Sequence, residues 1–278
     1  MLGFLMLDPL FLPSPRTESL LRRSLSTLFA SAPTLLAVSG IIMLPGLLLN
    51  LAVGIRLSDP SEEPLRQGLT IMVALLLGQL VQAAVVYAVF RRLRGEPAGV
   101  GQSLRIGLRR FFAVVGASIL VSLALGGTGF ATVFPVALLA ALFPPLMVLL
   151  LASATCVAFV YSGLFLTIPA LVSERIGAFA ALARSWSLSA RYRLPIFFIM
   201  LVLTALNLLS ALLAKIPQDM LTSTDLSHMA RLLLEFVPAY LVQVPSAAFG
   251  AVLATVAYHD LRAFKEGFDE HALADAFD

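Results

Sequence analysis

Long uncharged apolar stretches, separated by short basic clusters, constrain this chain more than any other feature. Of its nineteen Lys and Arg residues, fifteen fall into four groups: Arg16/Arg22/Arg23, Arg91 to Arg110, Arg175 to Arg193, and Arg262/Lys265. Arg56, Arg66, Lys215 and Arg231 stand elsewhere. A helix needs about 20 apolar residues to cross the hydrocarbon core of a bilayer. Leu28 to Gly54, Gly68 to Phe90, Leu194 to Ala214 and Phe236 to Tyr258 each meet that need with no charge inside. Composition agrees: the chain is 59% hydrophobic and 13% charged, with a mean hydropathy of +0.95. A soluble domain is about 25% charged.

The stretch from Phe111 to Ser173 is uncharged throughout and could hold two spans or three. Its flanks decide. Arg105/Arg109/Arg110 precede it and Arg175/Arg184/Arg191/Arg193 follow it. Basic flanks favour the cytoplasm, so both belong on one side and the number of crossings is even. Two spans fit, Phe111 to Val133 and Leu146 to Val172, with a turn near Phe134-Pro135 and Phe143-Pro144-Pro145, because proline removes a backbone donor and breaks helices. The expected fold is therefore all-α: a polytopic bundle of six transmembrane helices with both termini cytoplasmic. Ile55 to Gln67, Pro135 to Pro145 and Lys215 to Glu235 become the external connections. A net charge of +3 and a pI near 9.3 then reflect cytoplasmic Lys and Arg. No aromatic-basic interleaving or nucleic-acid motif is present, so no nucleic-acid partner is expected.

The basic segments resemble one another. Glu96, Gly99 and Leu104 superpose on Glu174, Gly177 and Leu182 at an offset of 78 residues, and Thr17 to Leu25 is a looser third copy. This suggests three units, each a short amphipathic helix followed by a two-span hairpin, near 15–96, 97–175 and 176–266. Together they form a membrane domain over 15–266. Residues 1–14 read as an interfacial segment, lacking a basic start and broken by Asp8, Pro9 and Pro13, and 267–278 read as an acidic tail. In the connectors, Leu104, Leu108 and Phe111/Phe112 share one helical face, and Phe179, Leu182 and Trp186 form another stripe. Basic amphipathic helices beside a span belong in the headgroup layer, where Trp186 would anchor and anionic lipid headgroups would be partners.

Motifs for chemistry are scarce. There is no His-Glu-x-x-His, no Gly-x-Ser-x-Gly and no P-loop. Cys156 is the single cysteine. His259, Asp260, Glu266, Asp269, Glu270 and His271 match no standard metal spacing and read as a solvated tail. No cofactor, metal or catalytic residue is expected. Span centres hold no ionisable residue, which disfavours an ion-coupled pump. Their polar residues include Gln79, Gln82 and Asn207. Gln79 and Gln82 share a face and either line a cavity or bond between helices.

Leu166-Thr-Ile-Pro169-Ala-Leu-Val-Ser-Glu174, followed by Ala183-Arg184-Ser185-Trp186-Ser-Leu188, is one distinctive stretch. Tyr258-His-Asp260-Leu261-Arg262-Ala-Phe-Lys265-Glu266-Gly267-Phe268-Asp269 is the other. Together they resemble the membrane domain fused to some bacterial glycerophosphoryl diester phosphodiesterases, and stand-alone six-helix proteins built on it, over roughly Arg16 to Asp269. The chain departs from that pattern at Ala263-Phe264, where such tails carry further basic residues. It holds no counterpart of the soluble phosphodiesterase barrel, so the resemblance implies a fold without the catalysis. It also implies a bacterial cytoplasmic (inner) membrane. Independently, Asp260, Arg262, Lys265 and Glu266 leave the last span level with Glu174 and Arg184, which suggests an ion-pair lattice tying the units together on the cytoplasmic face. The resulting expectation is a non-catalytic membrane scaffold or accessory subunit, with membrane lipids and a protein as partners. The alternatives are a permease-like component lined by Gln79, Gln82 and Asn207, and an intramembrane enzyme acting on phospholipid headgroups.

Overall fold

The computed structural model describes residues 17–56, 63–143, 145, 148–190, 192–221 and 227–266. Among these the regular structure is helical throughout: α1 (Thr17–Arg56), α2 (Glu63–Leu93), α3 (Val100–Leu142), α4 (Val148–Leu164), α5 (Thr167–Glu174), α6 (Ala178–Ser189), α7 (Arg193–Leu221) and α8 (His228–Glu266). Five stretches are long and apolar enough to cross a bilayer: Arg22–Ile55, Pro64–Leu93, Val100–Ala141, Val148–Glu174 and Met229–Glu266. With α6, from which it is bent by 109°, α7 makes a sixth. The chain is a polytopic helix bundle of membrane type. The N-terminal segment 1–14 and the tail 267–278, with Asp269, Glu270 and His271, lie outside the described residues.

The helices run past the boundaries expected of them. At about 1.5 Å per residue, the 43 residues of α3 extend about 65 Å, twice the hydrocarbon thickness. Pro135 is inside α3 rather than in a turn, and the helix break falls instead between Leu142 and Val148. The fourth span is not one helix: it breaks between Leu164 and Thr167 into α4 and α5. Pro169 explains the position, because its ring collides with the carbonyl four residues back, at Phe165. The first two connectors also differ from expectation. Thr17 to Leu25 and Val100 to Arg110 are continuous with α1 and α3, since no proline or helix end intervenes there. Only α6 is a separate helix. Pro195 stands in the first turn of the helix that follows it, where a missing N–H costs nothing.

The packing is the reverse of a soluble protein. Phe112 is 83% exposed, and Phe29, Phe130, Phe179 and Leu194 are also on the surface, as a lipid-facing shell requires. Beside large buried side chains such as Leu35, Leu166, Ile199 and Tyr258, the interior holds many small groups: Ala83, Ala84, Val85, Ala88, Ala117, Ala170 and Ala248, with Ser39, Ser103 and Thr255. Small residues let backbones approach, which is how helices gain contact when lipid is as apolar as they are. Gly107 of α3 shows this, since a Cβ there would lie 2.9 Å from the Cβ of Ala84 on α2. Antiparallel pairing is plain from cross-helix contacts. Along α1 and α8, Arg23 meets Asp260 and Gly40 meets Tyr240, whose hydroxyl donates to the Gly40 carbonyl at 2.8 Å.

Members of all four basic clusters meet at one end of the bundle. Arg23 bonds Asp260 of α8 at 2.6 Å. Arg91, Arg94, Arg109, Arg110 and Arg175 line one pocket. Arg184 and Arg262 share carboxylates. The chain between Arg110 and Arg175 therefore goes out and comes back.

Candidate functional site

Two arrangements carry polar chemistry, and the break in the fourth span joins them. At the break, the end of α4 leaves carbonyls without helical partners, a cost of several kcal/mol each in hydrocarbon if unmet. Helix α6 meets them. Ser185 Oγ donates to the Gly163 carbonyl at 2.8 Å and accepts from the Leu166 N–H at 3.1 Å. Ser189 Oγ donates to the same carbonyl at 3.1 Å, and Thr167 Oγ1 bonds the Leu164 carbonyl at 2.6 Å. Both serines are buried. They stand four apart, one turn of helix, and so face the break together.

The three consecutive residues Arg184-Ser185-Trp186 each dock a different partner. Trp186 lies over Gly163, where a Cβ would sit 2.4 Å from its ring. Its edge meets Phe159 of α4 at 6.4 Å, and the Arg193 guanidinium stands 4.1 Å from its ring centre and 3.9 Å from that of Phe159. Trp186 is thus an anchor within the bundle, 40% exposed, rather than a ring presented only to lipid headgroups.

Arg184 belongs to a ring of alternating charges at the basic end. Its Nε bonds Glu174 Oε1 at 2.9 Å and its Nη2 pairs with Glu266. Glu266 bonds Arg262 Nε at 3.2 Å, and Arg262 returns to Glu174 at 3.8 Å. The ring closes α5, α6 and α8 onto one another with no net charge among its four members. Below it, the buried Tyr258 hydroxyl donates to Glu174, and its ring meets Phe90 edge-on at 5.9 Å. Two residues expected in the lattice are placed otherwise. Asp260 pairs with Arg23 of α1 and His259, and Lys265 Nζ donates to the Ser187 carbonyl at 2.6 Å, capping the last turn of α6, with no carboxylate among the described residues paired to it. Tyr258, Arg23, Ser185 and Ser189 were not singled out as site residues. The i, i+4 serines opposite a proline-broken span were the available signal for two of them.

The second arrangement is a cavity of about 500 Å³ between α2, α3, α4/α5, α7 and α8. Gln79, Gln82 and Asn207 all line it, with Ser118, Thr204 and Ser246. No charged side chain is in its wall. Ser118 Oγ bonds Gln79 Oε1 at 2.5 Å, while Asn207 Nδ2 bonds the Leu203 carbonyl one turn back. Thr167, Ile168 and Pro169 put the broken helix in its wall. Discontinuous helices beside a cavity near mid-membrane are the way transporter folds expose backbone to a ligand. Asn50 and Gln243 line a separate cavity of about 250 Å³ between α1, α2 and α8. Among the described residues no group of His, Cys, Asp and Glu is arranged to hold a metal ion. Comparison with protein families, curated proteins and solved structures produced no match to this chain.

Proposed function

We propose that this chain is a non-catalytic carrier or permease-like component of a bacterial cytoplasmic membrane, with both termini cytoplasmic, related to the membrane domain that accompanies some glycerophosphoryl diester phosphodiesterases. Its ligand is an uncharged polar or amphiphilic molecule held in the cavity between α2, α3, α5, α7 and α8. The supporting observation is the chemistry of that wall. It has amide and hydroxyl side chains from α2, α3, α4, α5, α7 and α8, the first turn of the broken helix at Thr167–Pro169, and no charge. An ion would meet no opposite charge there, whereas a hydroxyl- or amide-bearing molecule finds both donors and acceptors. An enzymatic reading is less well supported, because Glu174 and Glu266 are each engaged by guanidinium groups and neither lines this cavity.

The test is to fill the cavity. The protein and a Ser118→Phe/Thr204→Phe variant are purified from native membranes in mild detergent, and bound small molecules are extracted and identified by mass spectrometry. A polar or amphiphilic compound present in near-stoichiometric amount in the first and lost from the second supports the reading. The same extract from both sinks it.

A further inference from the structure

A further pocket, of about 280 Å³, opens at the basic end of the bundle, one turn beyond the larger cavity along α2 and α5. Its wall contains five guanidinium side chains and no carboxylate: Arg91 and Arg94 from the end of α2, Arg109 and Arg110 from α3, and Arg175 from the turn after α5. Glu96 stands beside Arg91, bonded to it at 2.8 Å, and Gln102 accepts from the same guanidinium. Tyr87 and Ser173 add hydroxyls, and Phe90, Ile106 and Val172 form an apolar floor.

Several features of this pocket suit an anion. Guanidinium groups from three separate elements share one concavity, and their summed positive field favours an anion there. Arginine, with its planar fork of donors, suits phosphate oxygens better than a point charge does. Arg175 has φ 53°, the only positive φ at a non-glycine position among the described residues. Left-handed backbone after a helix is normally left to glycine, and here it is imposed on an arginine that lines the pocket. The volume equals about nine waters at roughly 30 Å³ each, room for a phosphate group and its first ester substituent. On α3, beside Arg109 and Arg110, Leu108 is 65% and Phe112 83% exposed, so acyl chains would find apolar surface next to the charged mouth.

We propose that this pocket is a phosphate-binding site, formed by Arg91, Arg94, Arg109, Arg110 and Arg175, for a phosphodiester or phosphomonoester group. Such a group is carried by an anionic phospholipid and by soluble phosphate compounds, and the two sources separate experimentally. The site is independent of the uncharged cavity and stands whether or not that cavity carries a ligand.

The experiment uses the full chain in detergent and native mass spectrometry. The probes are phosphatidylglycerol, phosphatidylcholine and inorganic phosphate. Two paired substitutions are compared: Arg109→Gln/Arg175→Gln in the pocket wall, and Arg92→Gln/Arg105→Gln, equally basic neighbours that do not line it. The expected result is retention of phosphatidylglycerol over phosphatidylcholine, lost at least tenfold in the wall variant and kept in the neighbouring one. Retention of inorganic phosphate with that same variant dependence, and no preference for phosphatidylglycerol, assigns the site to a soluble phosphate. Equal losses in both variants would reduce the effect to general surface charge and overturn the proposal, as would the absence of binding by any probe. Should the wall variant not fold, Arg109→Lys/Arg175→Lys keeps the charge and removes the fork. A loss of at least threefold relative to wild type is then expected, and unchanged retention overturns the site.

Discussion

Replacing Glu174 with Ala removes the acceptor on which three groups converge, and the structure predicts which loss dominates. Tyr258 is fully buried, so without Glu174 its hydroxyl would lose the carboxylate with no water to replace it, and only the neutral Ser173 hydroxyl would remain in reach. Losing a hydrogen bond to a charged acceptor in a buried site costs about 1–3 kcal/mol. Arg184, with 27% of its side chain exposed, would keep Glu266 and reach solvent, so its loss costs about 0–1 kcal/mol. Arg262, at 3.8 Å, loses less still. The expected total is about 1–4 kcal/mol, most of it through the tyrosine. Two double-mutant cycles separate these contributions. Coupling between Glu174→Ala and Tyr258→Phe should reach about 1–2 kcal/mol, because the second change removes the hydroxyl that has lost its carboxylate acceptor. Coupling between Glu174→Ala and Arg184→Ala should stay at about 0–1 kcal/mol. Equilibrium unfolding in mixed micelles with rising dodecyl sulfate measures both, read by the fluorescence of Trp186, the single tryptophan. A larger coupling for Arg184 than for Tyr258, or a Tyr258 coupling within the ordinary additivity error of about 0.5 kcal/mol, would refute this account of the ring.

The broken span yields two further predictions. Gly163→Ala places a methyl 2.4 Å from the Trp186 ring, so it should cost about 1–3 kcal/mol and shift the tryptophan emission. In a Trp186→Ala background, followed by circular dichroism, that cost should vanish. Ser185→Ala strands the Leu166 N–H and one bond to the Gly163 carbonyl, for about 1–3 kcal/mol. Ser189→Ala, which removes the longer bond to that carbonyl and one within α6 to the Trp186 carbonyl but strands no N–H, should cost less in the same unfolding assay, and the reverse order would contradict the role given to Ser185. For orientation, a cysteine placed at Glu96 in a Cys156→Ser background should be labelled only by reagents that reach the cytoplasmic side. Labelling from outside the cell would invert the proposed topology.

The helix content and the pairing of basic clusters at one end were legible in the sequence because both follow from local composition. Twenty apolar residues without charge have few alternatives to a spanning helix, and an even number of crossings follows from basic flanks alone. Glu174, Arg184, Arg262 and Glu266 could be grouped because each stands at a span end, where depth in the membrane follows from position along the chain. Depth does not reveal azimuth. Asp260 and Lys265 stand at the same level as the ring, yet they face Arg23 and the Ser187 carbonyl. Which side of α8 each residue takes is set by how α8 packs against α1 and α6.

Proline shows the same division. Pro33, Pro45, Pro135, Pro238 and Pro245 stay inside continuous helices, while Pro169 accompanies a break. All of them remove a donor; at the break beside Pro169, Ser185 and Ser189 of α6 bond the Gly163 carbonyl and Ser185 accepts from the Leu166 N–H. The sequence by itself determined that the chain is an α-helical bundle of membrane type with its basic residues gathered between spans, since burial of uncharged residues in lipid depends on composition over a window. Only the tertiary structure decided that Gln79, Gln82 and Asn207 share one cavity, that five arginines converge on one pocket, and that Arg184-Ser185-Trp186 clasps a broken helix. These depend on the rotation and crossing of helices far apart in the chain, which no local pattern encodes.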